Sequence, residues 1–133
     1  MATTRQNVSG YSHIAIVCTD LVAARAFYCG LFGFEELPRP DFGVPGMWLR
    51  VGSLQLHLLE NETMPIPGPG FPHFALHIEN DQWDETIGLL KNNAVSFLSE
   101  PSERSDFGTL VRAAFVLDPS GNVVELTDVG PLV

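Results

Sequence analysis

The feature that most constrains this chain is a repetition. The stretch "HIAIV" opens at His13 and "HFALH" opens at His73, sixty residues on. The tripeptide "DFG" stands at 41–43 and again at 106–108, and His57 of "LQLHLLE" is matched sixty-eight residues later by Glu125 of "NVVELTD". The offset widens slowly, as loop insertions widen it. Two copies of one supersecondary unit, each unable to cover its own sheet, are expected to pack on one another about a pseudo-twofold axis.

Hydropathy patterning gives each copy the same order of elements. From Tyr11 to Thr19 apolar and polar residues alternate, with His13, Ala15 and Val17 on one face and Ile14, Ile16 and Cys18 on the other, which reads as a strand. Asp20 then caps a helix whose apolar positions Leu21, Ala24, Tyr28, Leu31 and Phe32 follow three- and four-residue steps until Gly33 stops it. "FEEL" reads as a short strand, and "MWLRVG" and "LQLHLLE" as a strand pair turning at Gly52 and Ser53. The proline-rich "NETMPIPGPGFP" denies both helix and ladder bonding and reads as a linker. The order then restarts. "HFALHIE" is a strand, and "NDQWDETIGLLKN" a helix capped by Asn80 or Asp81 with Trp83, Ile87 and Leu90 on one stripe. "VSFL" is a short strand, "SEPSERSDFG" a long polar loop, and "TLVRAAFVLD" and "NVVELTD" a pair joined by the turn "PSGN". The fold class is α+β: strand, helix and three strands, twice, in one domain over 1–133. The first module covers about 8–60, the linker 61–72 and the second module about 73–129.

Composition narrows the function classes. Sixteen acidic against seven basic side chains give a formal charge of -9, which repels phosphate backbones and anionic headgroups, so nucleic acid and membrane surfaces are not expected partners. No run approaches the length that crosses a bilayer and "MATTRQNVSG" lacks a signal-peptide core, so a cytoplasmic protein is expected. Cys18 and Cys29 lack C-x-x-C spacing and read as free thiols. The doubled "DFG" reads as a loop-to-strand turn, because the other motifs of a protein kinase are absent.

The twofold axis gives four polar side chains a common meaning. His13 pairs with His73 and His57 with Glu125, and alternation puts them on the face opposite Ile14, Leu56, Leu58, Phe74, Leu76, Val124 and Leu126. The bulky set belongs to the core between sheet and helices, and the polar set to a cleft. Three imidazoles and one carboxylate suit a divalent transition metal and are too rich in nitrogen for calcium or magnesium. A lone histidine at a strand start is usually only a half-exposed residue, and a strand glutamate usually only solvated. The conjunction at matched positions is what favours a metal site with His13, His57, His73 and Glu125 as ligands. His77 shares the face of His73, but its counterpart is Val17, so a supporting role is expected for it.

These residues resemble the vicinal oxygen chelate superfamily, which contains glyoxalase I, bleomycin-resistance proteins, extradiol dioxygenases and methylmalonyl-CoA epimerase. The resemblance runs from about Tyr11 to Asp128 and rests on "HIAIVCTDLVAARAFYCGLFGF", "LQLHLLE", "HFALHIE" and the closing "FVLDPSGNVVELTD". It implies two βαβββ modules whose curved mixed sheets form a cleft, with metal ligands on the first and fourth strands of each. His57 falls where glyoxalase-like members often carry glutamate, which keeps a ligand and changes the charge of the site.

The implied chemistry is that of a metal-dependent lyase or isomerase, in which the ion polarises a small substrate bearing neighbouring oxygens and Glu125 acts as the catalytic base for a proton next to a carbonyl. Nickel, zinc, cobalt, manganese and iron(II) all tolerate such a shell. Glutathione-using members resemble one another in an arginine four residues after the first ligand, where this chain has Val17, whereas Asn61 matches their pattern. An iron(II)-dependent extradiol-type dioxygenase is the alternative, because His13, His73 and Glu125 resemble a two-histidine, one-carboxylate triad. A non-catalytic bleomycin-resistance-like binding protein is the third reading, and retention of all four donors argues against it. Candidate substrate contacts are Phe42, Trp48, Arg50, Asn61, Arg104, Phe107 and Arg112. A homodimer is expected from the resemblance, because exposed edges in such modules are often completed by a second chain.

Overall fold

In the computed structural model, residues 11–64, 72–105 and 110–130 are described, Arg104 by its backbone alone. Alternation makes β1 (His13–Cys18), β3 (Gly46–Val51) and β4 (Leu54–Glu60), with a short β2 (Glu35–Leu37) between helix and hairpin. These four strands form one sheet in the order β1-β4-β3-β2. The parallel β1–β4 pair is bonded in register from His13↔Gln55 to Cys18↔Glu60, and the other pairs are antiparallel. The second half repeats the plan. β5 (His73–His77), β6 (Phe97–Arg104), β7 (Val111–Leu117) and β8 (Val123–Thr127) form a sheet in the order β5-β8-β7-β6, again with its first and last strands parallel. The duplicated βαβββ plan and the α+β class are as the sequence indicates.

The helices depart from the expected pattern in detail. Asp20 caps α1 (Leu21–Arg25), its carboxylate accepting from the N–H groups of Val22 and Ala23. Instead of running as one α-helix to Phe32, the chain widens into π-helical turns over Ala26–Leu31. Gly33 follows in the left-handed region at φ 73°, as a helix stop requires. Neither Asn80 nor Asp81 caps the second helix. A 3-10 turn over Asn80–Gln82 leads into α2 (Trp83–Asn92) without a side-chain cap, because the Asn80 side chain accepts from Arg112 instead.

The segment expected as a polar loop after "VSFL" is also different. β6 runs through it to Arg104, and two register shifts against β7 accommodate Pro101 on this edge strand. The second "DFG" and Phe107 lie outside the described residues, as does most of the 61–72 linker.

Both halves contribute to one core. Leu49, Leu56 and Leu58 of the first sheet and Leu76, Val116, Val124 and Leu126 of the second are buried together with Phe27, Tyr28, Trp83 and Leu90 of the helices. Full burial of each such leucine contributes about 1.5–3 kcal/mol. Ile14 is the exception among the expected core residues. It is 37% exposed, because β1 lies at the edge of its sheet.

A buried polar joint links the halves. The Tyr28 hydroxyl donates to Asp118 at 2.8 Å, and Asp118 also accepts from the backbone N–H groups of Ser120 and Asn122. The Asn122 amide donates to the carbonyl of Val17 at 2.7 Å. The "DPSGN" turn therefore does more than reverse the chain: it bolts β8 to β1 and to the first helix. Burial first, and the Asp118 carboxylate second, hold the Tyr28 phenol far above its ordinary pKa.

Candidate metal centre

Strand register decides which side chains meet on the face away from the helices. On β4 the partner of His57 is Ala15 of β1 on one side and Trp48 of β3 on the other. On β8 the partner of Glu125 is Ala75 of β5 on one side and Phe115 of β7 on the other. Each half thus places one closing-strand donor between an alanine and an aromatic ring. The alanines leave room beside the donors, since a larger side chain at either position would project over them.

The structure brings the four expected ligands together two by two. In the first half the rings of His13 and His57 stack with centroids 4.0 Å apart, and Trp48 stacks on the other side of His57 at 4.3 Å, its plane only 7° away. His57 is held by Gln55, whose Oε1 lies 2.8 Å from Nε2. Burial, then His13, then Arg39 all disfavour a proton on His57, so its pKa falls below the ordinary histidine value. In the second half His73 Nε2 lies 3.1 Å from Glu125 Oε1, and the Phe115 ring meets the imidazole in a T-shaped contact at 5.3 Å.

Two donors on one ion, each about 2.1 Å from it and about 90–110° apart, sit about 3.0–3.4 Å from one another. The His73–Glu125 pair already has that spacing. The two pairs do not close into one cluster: among the described residues no three His, Cys, Asp or Glu side chains are grouped closely enough to hold a metal ion. Of the four, only His73 lines the small cavity of about 230 Å³ between β1 and β5, together with Ala15, Ile14 and Phe74. A set of imidazoles with one carboxylate fits a borderline divalent cation chemically.

The remaining candidates divide by face. Trp48 and Arg50 stand on the side of His57, Arg50 paired with Glu35 at 3.1 Å, and the exposed Phe42 leans on Trp48 at 6.0 Å. Asn61 lies past the end of β4, its N–H bonded to the Cys18 carbonyl. Arg112 belongs to the other side. It alternates with Ala113 and Phe115 on β7, crosses over Trp83 at 5.1 Å and is tied to Asp128 and Asn80, so it faces α2 and not the cleft. The reason is that Asp128 offers Arg112 both a backbone and a guanidinium contact at the helix face. His77 is separate from the other donors, beside Glu79 and packed against Gly130.

Three residues of this face escape a reading by motif: Gln55, Phe115 and Arg39. The first two are legible through register, since Gln55 is two residues before His57 and Phe115 stands to Glu125 as Trp48 stands to His57. Arg39 lies in the "PRPDFG" loop, where no periodicity points.

The sequence profile of the Glyoxalase/Bleomycin resistance protein/Dioxygenase superfamily matches residues 10–126. The chain belongs to this superfamily. Among curated proteins this superfamily member is similar to the mitochondrial methylmalonyl-CoA epimerase of Bos taurus, 28% identical over 132 residues that cover 90% of this chain and 74% of the epimerase. The Homo sapiens epimerase matches equally, at 28% over 132 residues. Among solved structures the fosfomycin resistance protein FosX of Listeria monocytogenes superposes with a TM-score of 0.77 at 22% identity, over 90% of this chain and 93% of FosX. A FosX variant crystallised with Mn(II) and 1S,2S-dihydroxypropylphosphonic acid gives a TM-score of 0.74 at 24% identity, over 94% and 95%. At these identities the structural likeness establishes the shared fold. Among the described residues no helix is long and apolar enough to cross a membrane.

Proposed function

We propose that this chain is a metal-dependent, glyoxalase-like enzyme of the cytoplasm that transfers a proton at the carbon next to a carbonyl of a small substrate with neighbouring oxygens. The observation that carries the reading is the pair of donor pairs, His13 with His57 and His73 with Glu125, on matched strands of the two modules. The similarity to an epimerase supports an isomerase over a lyase. Convergence of the two pairs on one ion requires side-chain rotation, since no three of the donors are grouped among the described residues. A divalent ion held there supplies Lewis acidity that stabilises negative charge on a carbonyl oxygen.

The chain's own groups supply the rest. Glu125 takes the proton from carbon and returns it, and the T-shaped contact with Phe115 keeps His73 oriented beside it. His57, sandwiched by Trp48 and His13, stays neutral and keeps a nitrogen lone pair available. Trp48 and Phe42 give the first half an apolar wall. A homodimer accords with the expectation for these modules.

The test is solvent exchange. A malonyl-type thioester with one substituent on its central carbon, incubated in D2O with metal-loaded protein, should lose its Cα–H signal in the proton NMR spectrum. The exchange should vanish with Glu125→Gln. Exchange that proceeds equally with Glu125→Gln, or does not occur with any of the five metals, would contradict the proposal.

One observation favours a second reading. Because His57 already spends Nε2 on Gln55 and both ring faces on its neighbours, His13, His73 and Glu125 alone would form the two-histidine, one-carboxylate set of an iron(II) dioxygenase. Oxygen uptake with catechols by the iron(II)-loaded protein would support that reading.

A further inference from the structure

Among the described side chains, charge pairing leaves one arginine aside. Arg25 holds Glu36, Arg50 holds Glu35, Lys91 holds Glu100 and Arg112 holds Asp128. Arg39 holds no carboxylate among the described residues. Its one hydrogen bond goes from Nη1 to the Val44 carbonyl at 3.2 Å, and its buried Nε has no partner. A guanidinium has five N–H donors, so most of its capacity is uncommitted.

The place of this guanidinium is built. It lies against Gly46, where a Cβ would come within 2.9 Å of Cζ and Nη2, and a side chain at 46 would occupy its seat. Gly46 alternates with Met47 and shares the face of Trp48, so the charge stands on the cleft side of β3. The ring of Phe42 lies 5.0 Å from Cζ. Phe42 leans on Trp48 with planes 41° apart, and Trp48, His57 and His13 then stack in turn. A cation therefore sits at one end of an aromatic column whose other end is the first donor pair.

We infer that Arg39 is the anchor for an oxyanionic group of the substrate, a carboxylate, phosphonate or phosphate distinct from the oxygens that face the metal donors. The inference rests on the site assigned above and names the substrate class for it. A planar fork suits two oxygens of such a group, and an anion needs a local attractor because the chain as a whole carries a formal charge of -9. An acyl compound with an enolisable carbon and one oxyanionic group at the far end is the class of substrate that fits.

The experiment uses the whole chain, first without metal. Inorganic phosphate and malonate are titrated while the Arg39 Nε–Hε cross-peak and calorimetric heat are followed. Saturable binding in the wild type is expected, weakened at least tenfold by Arg39→Gln, partly kept by Arg39→Lys, and changed less than twofold by Arg25→Gln, whose partner lies on the helix side. Absence of saturable binding, equal affinity in Arg39→Gln, or an equal loss in Arg25→Gln would overturn the inference. Thermal melts of each variant separate a folding defect from lost binding, with Arg39→Lys deciding if Arg39→Gln does not fold. A parallel metal titration tests the enzyme reading on its own: phosphate bound through Arg39 by a protein that takes no metal would leave this inference standing and the enzyme reading refuted.

Discussion

Trp48 lies flat on His57, ring centroids 4.3 Å apart and planes 7° from parallel. The contact buries one face of the imidazole, and burial is the leading reason that the protonated form of His57 is disfavoured. Trp48→Ala should cost more than the ~0.5–1.5 kcal/mol that such an aromatic pair adds beyond its area burial. It should also let the His57 pKa rise back toward the ordinary value of 6.5. Proton NMR titration of the imidazole signals checks this; an unchanged or lower value would show that desolvation by Trp48 is not the cause.

Asp128 links acidity to stability at the far side of the second sheet. Its burial would raise its pKa, but the backbone N–H and guanidinium of Arg112 outweigh that and hold it below the usual carboxylate value of 3.8. A carboxylate with a depressed folded-state pKa contributes stability that is present above the unfolded value and lost as pH falls through the folded one. The wild type should therefore lose melting temperature steeply below about pH 4, and Asp128→Asn should flatten that dependence while costing about 1–3 kcal/mol at neutral pH. An identical acid profile in the variant would count against this role.

The joint between the halves makes a third prediction. Tyr28→Phe removes the buried hydroxyl from Asp118 but leaves the Ser120 and Asn122 donors in place. A loss of about 1–2 kcal/mol is expected in urea unfolding. Asn122→Ala removes both the Val17 bond and one Asp118 bond and should cost at least as much. A neutral Tyr28→Phe would mean that the Tyr28–Asp118 bond adds nothing net, leaving the joint to the Asn122–Val17 bond and the apolar core.

The duplicated fold was legible because period-two alternation is enforced by burial on one face, and Leu56, Leu58, Val124 and Leu126 obey it. The donor pairs were legible for the same reason, since matched strands carry matched faces. What alternation does not encode escaped. β6 is polar and on an edge, so its backbone pairing with β7 determines it and no apolar stripe marks it. Arg112 is different: alternation with Phe115 on β7 already sets it on the helix face, where Asp128 holds it, and only its nearness in sequence to the second loop suggests the cleft. Arg39 is placed by two prolines, a close approach at Gly46 and the Phe42 ring, contacts that exist only once the loop has folded over β3.

The central claim is that His13, His57, His73 and Glu125 serve one divalent ion. Isothermal titration of metal-free protein with zinc, repeated for single variants of the four donors and for His77→Ala, measures it directly. One ion per chain is predicted, with affinity reduced at least tenfold by His13→Ala, His57→Ala, His73→Ala and Glu125→Gln alike, and left within twofold by His77→Ala. No saturable binding, or a loss confined to one of the two pairs, would contradict the account.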